Sequence, residues 1–281
     1  MPTVKYVNSQ NAEVIFNGDM QSFMDCNPLR SFSWSYSTVK SNVGVGGTVN
    51  EFTRNVISTN IKVTTKCNSQ DELFAYENRL HSITETDVYA ETPGKLYVND
   101  QYMTCYITAV SVNEYNILSH LAQIQLTIVS NRPYWCTEKT VKMNKADSAT
   151  DTTGKKYDLK YAYRYGTGVS MSKIINSHYA ACPAIITIYG ACSNPSFTLA
   201  GVVRNVQTEI TASEKIVINQ LTHEIYKENA VGQKTNLFNY RNKSYDIFAE
   251  IPVGESAVLY SGDFMFTITM IQQRSQPTWQ N

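Results

Sequence analysis

Residues 185–197 read IITIYGACSNPSF. Apolar and small polar side chains alternate as far as Tyr189, the two-residue period of a half-buried strand, and the pattern then breaks at Gly190 and at Asn194-Pro195. Proline restricts the residue before it and offers no ladder amide, so the run predicts a strand that stops. Cys182 and Cys192 bracket it, which leaves three readings of the break: a catalytic loop, a metal clip or a sheet corner.

The metal reading is weak on spacing. His178 and Cys182 stand four apart, but Pro183 follows and the run becomes a strand rather than a helix face. A Cys182–Cys192 disulfide fails on reach, because an extended segment of that length spans roughly 30 Å against a Cα limit of about 7 Å. The other cysteines (Cys26, Cys67, Cys105, Cys136) are scattered with no Cys-x-x-Cys pair, so mostly free thiols in a reducing compartment are expected.

Composition narrows the class. The 281 residues exceed one typical domain of about 100–200, which predicts two folded units with a core large enough to need no staple. Lys plus Arg and Asp plus Glu are both 24, so no whole-chain attraction to nucleic acid or anionic lipid is expected. The 19 Tyr, with abundant Thr, Val and Ile, favour strands. The start, MPTVKYVNSQ, has neither a basic run nor an apolar core, and no stretch approaches the ~18 apolar residues of a membrane span; a soluble chain made in the cytosol is expected.

Along the chain, SFSWSYS (31–37) places Phe32, Trp34 and Tyr36 on one face of an expected strand, and a further β run follows at 55–66. Ser69 and Glu72 form a capping box ahead of Leu73, Tyr76, Leu80 and Ile83, which predicts a helix over 70–84. KLYV and QYMTCYITAVSV flank Asn99-Asp100 as a hairpin, and AQIQLTIVS (122–130) presents Ile124, Leu126 and Ile128 on one face before Pro133 ends pairing. Residues 137–156 turn to Lys, Thr, Asp and Ser and read as a linker. Beyond it, AIITIY, FTLAGVV, QTEITA, KIVINQ, HEIYKE, YDIFAEI, SAVLYS and FMFTITMI read as short strands of a jelly-roll sandwich.

Other candidate sites have ordinary readings beside the chemical ones. NVGVGGTVN, with Gly44, Gly46 and Gly47, lacks the Lys-Ser/Thr ending of a phosphate loop and reads as a surface or intersubunit loop. Tyr161, Tyr163 and Tyr165 alternate with Lys160 and Arg164, a pattern open to base stacking but equally that of a packing strand. Glu209, Glu214, Glu250, Glu255 and Asp263 lie among the last strands with no spacing that pairs two of them for hydrolysis.

Taken in order, ITIYGACSNPSF, EKIVINQLTHEIYKE, IPVGESAVLYSGDFMFTITM and the closing QPTW resemble the C-terminal domain of siphophage distal tail (Dit) proteins, and GKLYVNDQYMTCYIT with RPYW resembles that family's N-terminal ring domain. The family motif falls on Tyr189, Gly190, Cys192, Asn194, Pro195, Pro252, Gly254, Gly262 and Trp279. The resemblance implies a mainly β fold: an N-terminal β-barrel or sandwich ring domain (1–136) with one helix and a long hairpin, a linker (137–156), and a C-terminal galectin-like β-sandwich (157–281). It implies a structural, non-enzymatic virion protein with no cofactor, metal or catalytic residue. Its partners would be itself as a homohexameric ring, the major tail (tube) protein, the tail-associated tip protein and receptor-binding proteins, with no nucleic-acid specificity and no membrane. The hairpin at 95–130 is expected at the subunit interface. It carries no sugar site across, so Trp135 and Trp279 are expected to pack. The neighbouring readings are a carbohydrate-binding tail module, the hub of a tail-like bacteriocin, and a cell-wall-degrading enzyme.

Overall fold

The structure, a computed structural model, describes residues 2–17, 22–40, 44–116, 118–145 and 170–279. Contacts divide the chain into two compact units, Met1–Thr137 with Gln273–Asn281, and Glu138–Gln272. The tail, expected with the second domain, therefore groups with the first. Within that unit Thr278 N donates to Gln101 Oε1 at 2.7 Å, Gln101 Nε2 donates back to the Thr278 hydroxyl, and the Arg30 guanidinium lies 4.8 Å from the Trp279 ring.

The first unit comprises β1 (Val4–Val7), β2 (Glu13–Asn17), β3 (Ser22–Met24), β4 (Ser35–Lys40), β5 (Gly47–Thr53), β6 (Ile57–Lys66), α1 (Gln70–Tyr89), β7 (Gly94–Val98), β8 (Gln101–Asn116), β9 (Leu121–Ser130) and the start of β10 (Trp135–Met143). Its strands are antiparallel. One layer runs β2–β1–β7–β8 and the other β3–β6–β9–β8, so β8 belongs to both. The expected alternation in β9 holds: Ala122, Ile124, Leu126 and Ile128 are buried, and α1 adds Leu73, Leu80 and Ile83 to the same core.

The helix starts where the capping residues predict. Glu72 N donates to Ser69 Oγ at 3.2 Å, although the Glu72 carboxylate reaches back to Asn68 N rather than to the cap's own amide. It runs five residues beyond the expected end, because Asp87 is buried and bonded. The Tyr6 hydroxyl donates to Asp87 Oδ2 at 2.5 Å and lies 3.2 Å from the Cys105 carbonyl oxygen, while Ser9 N donates to Asp87 Oδ1 at 2.7 Å. SFSWSYS departs from expectation: the strand begins only at Ser35, and Trp34 instead meets Tyr134 edge-on with ring centroids 6.3 Å apart.

The second unit holds the rest of β10, then β11 (Ser170–Asn176), β12 (Ala184–Tyr189), β13 (Cys192–Ser193), β14 (Ser196–Leu199), β15 (Val202–Asn205), β16 (Glu209–Ile210), β17 (Lys215–Asn219), β18 (Glu224–Glu228), β19 (Lys234–Asn236), β20 (Gly254–Tyr260) and most of β21 (Met265–Arg274). Sheet β19–β18–β17–β12–β21 faces sheet β11–β20–β14–β15 across one core. Phe197 stacks on Phe266 at 4.5 Å, and Tyr260 meets Phe266 edge-on at 5.2 Å, which joins the layers. Phe264, Phe266, Ile268 and Met270 form the buried face read from the sequence.

Three expected elements differ. FTLAGVV is two strands, because Ala200 and Gly201 adopt positive φ and turn the chain. YDIFAEI is not a strand: Asp246 accepts from Phe248 N at 3.0 Å and makes a turn, and its apolar residues Ile247 and Ile251 anchor a loop to the core. Of the expected linker, Glu138–Met143 continues β10, with Met143 buried, and 146–156 lie outside the described residues.

Burial and the bond to Asp87 raise the Tyr6 phenol far above its ordinary value near 10. The neutral form is therefore favoured by folding, and its contribution is present below about pH 10 and lost as pH rises past it. Tyr6→Phe is expected to cost about 1–3 kcal/mol at pH 7, since a buried carboxylate loses a donor. Thermal melts of both proteins should show that gap narrowing above pH ~10; a pH-independent gap would contradict the assignment.

Candidate functional site

The Gly190–Pro195 break is a sheet corner. β12 ends at Tyr189 in one layer of the sandwich, and the chain emerges at Ser196 in β14 of the other. Gly190 N donates to Glu214 O at 3.1 Å, and a Cβ at this position would overlap the Thr211 carbonyl oxygen, so only glycine fits. Cys192 and Ser193 then pair with Ile210 and Glu209. Asn194 turns at φ 47 and donates its amide to Thr208 O at 2.8 Å, and Val206 N donates to Pro195 O at 3.2 Å. These backbone bonds, with Ser193 Oγ donating to Glu209, hold the chain in the corner.

The remaining motif positions lie in other places in the fold. Gly254 (φ 92) opens β20, and Gly262 (φ 81) lies in the turn between β20 and β21. Ahead of them, Asn176 Nδ2 donates to the carbonyls of Ile251 at 3.1 Å and Pro252 at 3.3 Å. Trp279 lies in the first unit, partly buried against its core, and Trp135 is buried there too. The structure thus assembles Tyr189, Gly190, Cys192, Asn194 and Pro195 into one corner but does not bring all nine positions together.

Three of the candidate acids are engaged locally. Glu214 accepts from Thr211 N at 2.9 Å and pairs with Lys227 at 2.9 Å, which holds its carboxyl below the usual range. Glu209 accepts from Ser193 Oγ at 3.1 Å, and Glu255 pairs with Lys173. His178 Nδ1 accepts from Ala180 N at 3.3 Å, and Cys182 bridges Ile251 through its backbone. Among the described residues no group of three His, Cys, Asp or Glu side chains could hold a metal. None of the six cysteines is in a disulfide, and burial pushes the Cys192 thiol up, away from reactive thiolate. Gly44 and Gly46, both at positive φ in open space, form the tip of the β4–β5 ribbon; the tyrosine run 157–166 lies outside the described residues.

What stands out instead is bare β surface on the first unit. β8 pairs with β7 over Gln101–Cys105 and with β9 over Tyr106–Asn116. Among the described residues nothing pairs with the other edge of Thr108–Asn116, and that half is largely exposed on both faces. The sequence reading placed the hairpin but not this edge, because alternation in the first half of β8 extends into the second without a marker of where the cover ends.

No protein-family model matches the chain, and no curated protein matches it. Solved structures do. The Dit protein (gp 19.1) of phage SPP1, described as a paradigm of the hub adsorption apparatus in phages infecting Gram-positive bacteria, aligns over 98% of this chain and 99% of its own at 8% identity, with a TM-score of 0.57. A chain of the phage P2 baseplate, in its activated conformation with Ca, aligns over 99% of this chain and 100% of its own at 12% identity and 0.62; the form with Sr gives 12% and 0.60. The fold is that of phage Dit and baseplate hub proteins. The mainly β class inferred from the sequence agrees with it.

At the corner, Gly190→Ala is expected to destabilise the second unit by about 1–3 kcal/mol, since a rigid backbone carbonyl must yield. Calorimetry would check this, and an unchanged melting temperature would count against the corner assignment.

Proposed function

We propose that this protein is a Dit-type hub of a phage tail and performs no reaction. Six copies form a ring at the distal end of a long non-contractile tail. One face of the ring docks on the major tail (tube) protein and the other holds the tail-associated tip protein. The second unit is a platform for receptor-binding proteins, and the protein resides in the virion. The observation that carries this reading is the likeness to hub proteins over nearly the whole of both chains, with both units included.

The sheet edges support it. A bare strand edge in a monomer is a hazard, and a ring of copies covers it in the assembled state. The interface expected at 95–130 narrows to the distal part of that hairpin, because Gly94–Cys105 is already paired within its own unit.

Light scattering of the purified protein should give six copies of the 31.7 kDa chain, about 190 kDa, and negative-stain images should show sixfold rings. Backbone amides of Thr108–Asn116 should exchange several-fold more slowly in the ring than in dissociated chains. A protein that stays monomeric with its tail neighbours present, or that turns over peptidoglycan, would refute the proposal.

A further inference from the structure

On the second unit, side chains from separate turns form one continuous stack. The Arg241 guanidinium lies 3.7 Å from the Phe238 ring centroid, Phe238 lies 6.1 Å from Phe248 at 20°, and Phe248 lies 4.9 Å from the His223 imidazole at 16°. Such separations between near-parallel rings in contact come from sideways offset, so the rings step like a stair and part of each face is bare. Phe238 is 36% exposed, and His223 is exposed at the end of the stack. The loop that carries Phe248 is held from beneath. Ala249 O accepts from the buried Arg204 Nη2 at 2.6 Å and from Gln220 Nε2 at 3.1 Å, while Ile247 and Ile251 are buried on either side. Phe238 follows the buried Leu237, whose N donates to Ile225 O at 2.8 Å. Aromatic rings placed at the surface on a backbone clamped by a buried guanidinium are pre-organised to receive a ligand.

We propose that this stack is a binding site for the ring of an uncharged sugar. Other occupants fit its chemistry less well. A protein partner needs about 800 Å² on its side, whereas partly covered rings of this kind leave roughly 200 Å². A nucleotide calls for net positive charge, but residues 221–250 carry four basic and four acidic side chains. A quaternary ammonium is held in a cage of rings turned towards one another, and neighbouring rings here lie within 20° of parallel. A pyranose matches what the stack offers. Its C–H face lies on the negative face of an aromatic ring, and the hydroxyls at its rim need groups that donate and accept. The two ring nitrogens of His223 supply both, and the Arg241 guanidinium supplies donors at the opposite end. The site uses nothing of the Gly190–Pro195 corner and involves one copy of the chain, so it goes beyond the hub reading and is independent of it.

The test is saturation-transfer difference NMR on the full chain, titrated with the methyl glycosides of glucose, galactose, rhamnose and N-acetylglucosamine. At least one should receive saturation on its ring C–H protons. Phe238→Leu keeps an apolar group and removes the ring, and His223→Asn suits the local φ of 55; each should raise the half-saturating concentration about fivefold or more. Phe238→Tyr should bind like the wild type, and so should Val231→Ser, a control at an exposed position in the β18–β19 turn. Melting temperatures report that each variant is folded. Saturation transfer to none of the four sugars, or transfer that survives both Phe238→Leu and His223→Asn, overturns the inference. So does a tail protein whose binding is lost in Phe238→Leu while no sugar binds, since that assigns the stack to the protein. Light scattering of the same samples reports ring formation separately, so the hub reading stands or falls on its own result.

Discussion

The first unit depends on how a strand 16 residues long is shared between two layers. β8 leaves β7 after Cys105 and joins β9 from Tyr106, and the Tyr6 hydroxyl sits at that changeover, against the Cys105 carbonyl and the buried Asp87 carboxylate. One phenol thereby ties β1, the last turn of α1 and the switch point of β8 together. Burying a carboxylate without donors would be costly, so Tyr6 and the Ser9 amide are required for the helix to end where it does. Gly94 completes the arrangement, since a Cβ there would collide with both Tyr6 and Asp87. Past the changeover β8 gains β9 on one side and, among the described residues, no strand on the other, and the bare edge follows from the same partner switch.

The second unit uses its polar chemistry in a comparable way. The Gly190–Pro195 corner moves the chain between layers, and the buried Arg204, whose guanidinium is brought down to about 10 by desolvation, donates to the carbonyls of Leu199 and Ala249. A buried guanidinium stays tolerable because several carbonyl acceptors surround it. Glu214 is held by a turn amide and by Lys227, and Glu255 pairs across strands with Lys173.

Much of this was legible from residue periodicity. β7–β8, β9, β12 and β21 follow from two-residue alternation between turn residues, and the start of α1 follows from Ser69 and Glu72. What was not legible depended on partners distant in sequence. The last turn of α1 is held by Tyr6, far upstream, and the tail from Gln273 is held by Gln101. YDIFAEI has the composition of a strand, yet Ile247 and Ile251 meet the core from a loop because Asp246 turns the chain first. The corner's role was readable as strand termination, while the layer it leads to was not. Exposure escapes the sequence for the same reason: Tyr36 falls on one face of an expected strand, and nothing local to SFSWSYS says that it stays exposed.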